Sequence, residues 1–147
     1  MRASICRPNR LPLPQLLSDM LASGRWRQPT DDVIFAAVPF LRERVDFLLS
    51  ETRMRFESEG QCQGFPQFRE FRSSESGPRS LPWLDDDLAL LIAVNREIGA
   101  DIAVALDYRT SMIDPRVVAS DWWSERGMCS WREVTPTFSA FVLKLAL

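Results

Sequence analysis

Histidine is absent from this sequence of 147 residues. Its absence excludes the Ser-His-Asp and Cys-His arrangements that activate nucleophiles, and the zinc sites that need an imidazole ligand. Cysteine is scarce as well: Cys6, Cys62 and Cys129 are far apart in the chain and form no CxxC pair. Three isolated thiols favour a reducing cytoplasm over a disulfide-linked secreted protein. We therefore expect a cytoplasmic protein outside these enzyme classes.

Long apolar runs are also missing. The longest wholly apolar run, Leu88 to Val94, has seven residues, whereas a membrane-spanning helix needs about 20. The N-terminus has basic residues but no apolar stretch typical of a signal peptide. A formal net charge of −2 argues against a general nucleic-acid-binding protein. No GxSxG, Walker or dinucleotide-binding motif occurs. We expect no cofactor, metal, membrane or nucleic acid.

The first part of the chain has the apolar spacing of short helices. Leucine and methionine residues between positions 13 and 21 fall on one helical stripe. Gly24 is suited to the position just after the end of this helix. Thr30 is suited to cap a second helix, which Pro39 ends or kinks.

A third helical region is predicted from Val45 to Phe56, with a break near Ser50. Three phenylalanines between residues 65 and 72 allow one more short helix. The helical part of the chain is therefore expected to cover about residues 12–72. The serine-, glycine- and proline-containing stretch at 73–80 indicates a linker.

The second half of the chain is typical of a β-sheet. Two continuous apolar runs of strand length, Leu88–Val94 and Ile102–Leu106, are bounded by turn residues. The seven residues between them are too few for a crossover helix, so we expect an antiparallel hairpin. Further strands are predicted at Val117–Ala119 and Cys129–Val134. Because the first two strands are apolar on both alternating faces, both faces of the sheet should be covered.

The C-terminus has the pattern of a buried helix. Thr135 is suited to cap it and Pro136 to occupy its first position. Its apolar stripe consists of Phe138, Phe141, Val142 and Leu145. The predicted fold class is α+β: N-terminal helices, an antiparallel meander and a closing C-terminal helix. We expect one domain over 1–147, with the sheet and closing helix at about 81–147.

Three segments of the second half occur in a distinctive order. Ile102–Arg109 contains a strand ending in Leu-Asp-Tyr, and Pro115–Trp123 contains a strand that leads to Asp-Trp-Trp. Trp131–Leu145 contains the Thr-Phe-Ser-Ala-Phe-Val-Leu sequence of a closing helix. Together they resemble the SUKH superfamily, the Smi/Knr-type domain. The resemblance covers about residues 81–147, while the first 80 residues lack the family's early Leu-Pro-x-x-Tyr and glycine-rich turn.

The resemblance implies a binding domain without a common catalytic residue. Many bacterial members of this superfamily are similar to immunity proteins, which neutralise a cognate toxin made by the same cell. Fungal relatives are associated with regulation of cell-wall synthesis and signalling. The chain is therefore expected to be a non-catalytic binding protein, most simply an immunity protein that acts by direct binding. A regulatory or scaffold interaction domain is the alternative.

An acidic run and a pair of aromatic residues supply the candidate partner surface. Three consecutive carboxylates precede the first predicted strand, and two tryptophans lie between two carboxylates after the third. Residues 75–147 contain seven basic and eleven acidic residues, so this half would suit a basic protein partner. Tryptophan is enriched among interface anchors. The candidate residues are Asp85, Asp86, Asp87, Asp121, Trp122, Trp123 and Glu125.

Each candidate also has a simpler interpretation. The acidic run can be a solvated turn before a buried strand, or less simply a metal site, although it lacks the alternating EF-hand pattern. The tryptophan pair can contribute one residue to the core and one to the surface, because neighbours on a strand point to opposite faces. Trp26, Trp83 and Trp131 are expected in or near the core. Catalysis remains an alternative through Asp107 and Asp121, as does a small-ligand sensor.

Overall fold

The computed structural model describes residues 11–64, 81, 84–97, 102–120 and 130–147. Within these ranges the helices are α1 Gln15–Ser23, α2 Asp31–Ala37, α3 Glu51–Gly64 and α4 Phe138–Leu145. The strands are β1 Val45–Phe47, β2 Ala89–Asn95, β3 Ala103–Asp107, β4 Arg116–Ser120 and β5 Trp131–Thr135. They form one antiparallel sheet in the order β1-β2-β3-β4-β5. The predicted α+β class, with N-terminal helices, a meander and a closing helix, is confirmed.

The predicted end of the first helix and the predicted cap of the second are confirmed. α1 ends at Gly24, whose φ of 74° lies in the left-handed region that favours glycine. The Thr30 side chain caps α2 by accepting a hydrogen bond from the backbone N–H of Val33. No helix among the described residues is both long and apolar enough to cross a membrane.

The prediction of a helical region starting at Val45 is wrong. Val45 and Phe47 are buried and Asp46 is exposed, which is the two-residue alternation of a strand. β1 pairs with the end of β2, and this pairing supplies the burial that decides its conformation. The helix begins only after Ser50, whose hydroxyl accepts a hydrogen bond from the backbone N–H of Arg53.

The predicted hairpin of β2 and β3 is confirmed. Ala89 pairs with Asp107, and the register shifts by one residue between Leu91 and Ala93. All five residues of β3 are buried. Since successive strand residues point to opposite faces, this burial confirms that both faces of the sheet are covered. The predicted helix at 65–72 and linker at 73–80 lie outside the described residues.

Because of the register shift in β2, backbone hydrogen-bonding groups of two consecutive residues, Leu91 and Ile92, point towards the β1 side of the sheet. The carbonyl of Ile92 accepts a hydrogen bond from the N–H of Leu48 just after β1. The N–H of Leu91 has no strand beside it and donates to the hydroxyl of Ser58 on α3, at 2.8 Å. Ser58 is fully buried and donates in turn to the carbonyl of Met54. Helix α3 therefore closes the edge of β2 beyond the end of β1.

Replacing Ser58 with alanine is expected to lower the free energy of unfolding by about 1–3 kcal/mol, because the buried N–H of Leu91 loses its acceptor. Urea unfolding measures the loss, and amide hydrogen exchange at Leu91 locates it. Thr52→Ala, at an exposed position of the same helix, is the control and should change stability by less than about 0.5 kcal/mol. Unchanged protection of the Leu91 amide in the Ser58 variant would contradict this role.

The closing helix α4 is buried on the predicted stripe. Phe138, Phe141, Val142 and Leu145 are all buried. The Phe141 ring stacks on Phe47 of β1 at 6.4 Å between centroids, and Trp26 contacts both Phe47 and Phe138. These rings connect the last helix of the chain with the first strand.

The predicted cap of the closing helix is wrong by two residues. Thr137 is the cap, because its hydroxyl accepts a hydrogen bond from the N–H of Ala140. Thr135 belongs to β5, where it pairs with Val117. Its hydroxyl donates to the carbonyl of Thr137 at 2.8 Å and so joins the strand to the helix cap.

Candidate functional site

One end of the sheet brings together the start of β2, the end of β3 and the start of β4. Two connecting segments lie there: the acidic turn, Asp85 to Asp87, and the β3–β4 loop, residues 108–115. The carbonyl of Leu88 accepts a hydrogen bond from the N–H of Tyr108 at 2.8 Å, which joins the two segments. The Tyr108 hydroxyl donates to the carbonyl of Pro12, and burial raises the pKa of this tyrosine.

The acidic turn is partly structural and partly exposed. A carboxylate oxygen of Asp85 accepts a hydrogen bond from the N–H of Asp87 at 3.1 Å, at the start of a 3-10 turn over Asp86–Leu88. The Asp85 side chain is half-buried, whereas Asp87 is exposed. Within the predicted acidic surface, Asp87 is therefore a solvent-exposed residue.

The aromatic half of the predicted surface, Asp121, Trp122, Trp123 and Glu125, lies outside the described residues. Ser120, the last residue of β4, lies at the end of the sheet opposite Asp85, because β2 and β4 run in the same direction. Of the tryptophans predicted to be in the core, Trp26 and Trp131 are buried. Trp83 is also outside the described residues.

Asp107, at the end of β3, is a fully buried carboxylate that two arginines neutralise. One of its oxygens accepts hydrogen bonds from the backbone N–H and the Nε of Arg109. The other accepts from Nη2 of Arg109 at 2.9 Å and from Nε of Arg116 at 2.8 Å. Arg116 also approaches Glu133 on β5 at 3.7 Å. The cluster therefore links β3, the β3–β4 loop, β4 and β5.

Two opposing effects, burial and the contacts with arginine, set the protonation state of Asp107. Burial by itself would raise the pKa of the carboxyl, but the hydrogen bonds and charge of Arg109, together with the Arg116 hydrogen bond, outweigh it and lower the pKa. The group is therefore an anion held at both oxygens at neutral pH. This arrangement suits a structural ion pair and not a general acid or base, which needs a pKa near the working pH.

Hydrogen bonds hold the β3–β4 loop in one conformation. The Ser111 hydroxyl accepts from the N–H groups of both Ile113 and Asp114. The Asp114 carboxylate then accepts from the backbone N–H and the hydroxyl of Ser139 in the first turn of α4, at 3.1 and 2.6 Å. The Thr110 hydroxyl accepts from the N–H of Arg116 at the other end of the loop.

Comparisons of the chain with known protein families, with curated proteins and with solved structures gave no match.

The rigid β3–β4 loop presents apolar side chains to solvent. Ile113 is 84% exposed, and the neighbouring Met112 is about half exposed at 48%. Leu143 of α4 is 80% exposed and lies one helical turn after Ser139, the residue that binds the loop. We define the loop patch as Met112, Ile113 and Leu143. Sequence reasoning missed it, although an apolar pair between turn-forming serine and Asp-Pro residues is a signal that could have found it.

Proposed function

We propose that this chain is a non-catalytic protein-binding domain, and that its role is that of a bacterial immunity protein, which neutralises a cognate toxin by direct binding. The resemblance to the SUKH superfamily suggests the immunity role. The observation that carries the binding role is the 84% exposure of Ile113 on a loop that four side chains hold in place. Exposed apolar side chains that lie together mark protein interaction sites, and the loop patch supplies three such side chains.

The rigidity of the loop favours binding over accidental exposure. Association normally costs free energy for ordering loops and side chains at the interface. The hydrogen bonds of Ser111 and Asp114 have already ordered this loop in the free protein. A partner that covers Met112 and Ile113 would therefore gain from apolar burial with little further ordering cost.

The acidic turn supplies the electrostatic part of the proposed surface. It lies at the same end of the sheet as the β3–β4 loop and is joined to the start of that loop by the hydrogen bond from Tyr108 to Leu88. Exposed carboxylates attract a basic partner over several ångströms, which mainly raises the rate of association. Asp121, Trp122, Trp123 and Glu125 remain candidates for the same partner on sequence grounds.

Asp107 supports the non-catalytic reading. Asp107 belongs to the carboxylate pair predicted as the catalytic alternative, and arginines bind both of its oxygens. The lowered pKa keeps it ionised, so it does not exchange protons near neutral pH.

The decisive experiment identifies the partner by co-purification and, if that partner is a toxin, co-expresses the chain with it. The wild-type chain should restore growth, and Ile113→Asp should weaken the complex by at least about tenfold, because it places a charge in an apolar contact. Asp19→Asn, an exposed change on α1, should behave as wild type. Full toxicity in the presence of the wild-type chain would overturn the immunity role and favour the regulatory alternative.

Neutralising the acidic turn tests its contribution separately. The triple change Asp85→Asn, Asp86→Asn and Asp87→Asn should slow association with a basic partner by about tenfold at low salt and flatten the salt dependence. Dissociation should change little, because exposed charges mainly affect encounter. Stopped-flow association at low and high salt measures both effects. Equal rates for the triple variant and the wild type would remove the acidic turn from the interface.

A further inference from the structure

The thioether of Met112 gives the loop patch a chemical property that its other members lack. Three of the five methionines of the chain lie among the described residues. Met20 and Met54 are fully buried in the core, whereas Met112 is 48% exposed. The side chain of Met112 is therefore open to an oxidant dissolved in water, and the core shields the other two.

The loop holds Met112 in place without using its side chain. The hydrogen bonds that order the loop come from Thr110, Ser111 and Asp114, which lie on both sides of Met112. Asp114 also joins the loop to Ser139 on α4. The groups in these bonds are hydroxyls, a carboxylate and backbone N–H groups. A chemical change at the sulfur would therefore alter the surface of the patch and leave the conformation of the loop intact.

Oxidation would change the part of the loop patch that is proposed to meet the partner. A sulfoxide turns the flexible apolar side chain of methionine into a polar one. The neighbouring Ile113 and the more distant Leu143 have only hydrocarbon side chains, so this chemistry falls on Met112. Burying the sulfoxide oxygen against an apolar partner surface, with no donor opposite it, costs free energy. The modified patch should therefore bind its partner more weakly.

We propose that Met112 is an oxidation site, at which hydrogen peroxide weakens the binding of the partner to the loop patch. The sulfur lone pair attacks one peroxide oxygen, so an S–O bond forms and the O–O bond breaks. The displaced hydroxide takes the proton of the transferred oxygen and leaves as water. The sulfur loses two electrons and the peroxide gains them. This inference rests on the proposed function, because it concerns the same patch.

Treating the full chain with hydrogen peroxide and mapping sulfoxides by peptide mass spectrometry tests the site itself. Met112 should be oxidised at least about tenfold faster than Met20 or Met54, because the core shields those two side chains. Similar rates at the three positions would overturn the proposal. This measurement needs no partner, so its result is independent of the proposed function.

The effect on binding is measured with the partner recovered by co-purification, and Met112→Leu is the matched control. Leucine keeps an apolar side chain of similar size and lacks the sulfur. Peroxide treatment should weaken binding by about tenfold for the wild type and by less than about twofold for the leucine variant. Both proteins contain the same three cysteines, so the difference between them reports Met112 and not thiol oxidation. An equal effect of peroxide on the two proteins would contradict the proposal.

Met112→Gln repeats the binding test without an oxidant, because glutamine resembles the sulfoxide in length and polarity. Its affinity for the partner should fall by about tenfold while its urea midpoint stays that of the wild type. Ile113→Asp then separates the two proposals. If Ile113→Asp weakens binding but peroxide and Met112→Gln do not, the oxidation site is wrong and the binding surface stands. If none of the three changes the affinity, the loop patch is not the binding surface and both proposals are wrong.

Discussion

Replacing Asp107 with asparagine is expected to lower the free energy of unfolding by about 3 kcal/mol at neutral pH, the lower part of the range for breaking a buried ion pair. The substitution retains the size of the side chain but leaves Arg109 and Arg116 without their shared anion. The expected loss of unfolding free energy is at the lower end of this range because Arg116 keeps its contact with Glu133 and reaches solvent. Urea unfolding of both proteins at pH 7 measures it.

The stability contribution of Asp107 should also depend on pH. The pKa of the folded carboxyl lies below the ordinary value of 3.8, so the folded state favours the anion. Its contribution is fully present above about pH 5 and declines as the pH falls through 3.8 towards the folded pKa. The difference in stability between wild type and Asp107→Asn should therefore shrink in acid.

The partner residue Glu133 provides the control for this ion pair. Glu133 is about half exposed and its contact with Arg116 is long, at 3.7 Å. Glu133→Gln should change stability by less than about 1 kcal/mol, as exposed pairs usually do. A loss for Asp107→Asn no larger than that of Glu133→Gln would show that the buried carboxylate does not hold this end of the sheet.

Replacing Phe141 with alanine is expected to cost about 3–5 kcal/mol, because the ring is fully buried and its removal leaves a cavity. The ring stacks on Phe47, so the change also weakens the contact between α4 and β1. Guanidinium unfolding followed by tryptophan fluorescence reports the loss, since Trp26 belongs to the same aromatic group.

Leu143 on the same helix is the control for Phe141. It is exposed to solvent, so Leu143→Ala should change stability by no more than about 0.5 kcal/mol. Comparing the two variants separates the cost of losing a buried side chain from the effect of alanine on helix propensity. A loss below about 1 kcal/mol for Phe141→Ala would mean that α4 does not pack on the sheet through this ring.

Several elements could be predicted because their signals act over a few residues. Gly24 and Thr30 mark helix ends through backbone conformation and a local hydrogen bond. The β2–β3 hairpin follows from two apolar runs and a connection too short for a parallel return. The buried stripe on α4 follows from helical periodicity.

The candidate sites were less accessible to sequence reasoning. The acidic turn was visible as three adjacent carboxylates, and its Asp87 is exposed. The sequence offered Asp107 only as a candidate for catalysis, and its ion pair with Arg116 was not predicted, because that residue joins it across the β3–β4 hairpin.

The amino-acid sequence was enough to predict the fold class, the end of α1, the cap of α2 and the central hairpin, since capping, alternation and helical periodicity act within a few neighbouring residues. Tertiary structure alone decided that Val45–Phe47 is a strand and that Thr137, not Thr135, caps the last helix. In both cases two local conformations compete closely. Val45–Phe47 becomes a strand by pairing with β2, almost 50 residues along the chain, and Thr135 becomes part of β5 by pairing with β4. Only the assembled sheet offers the hydrogen bonds and burial that offset the entropy of closing such loops.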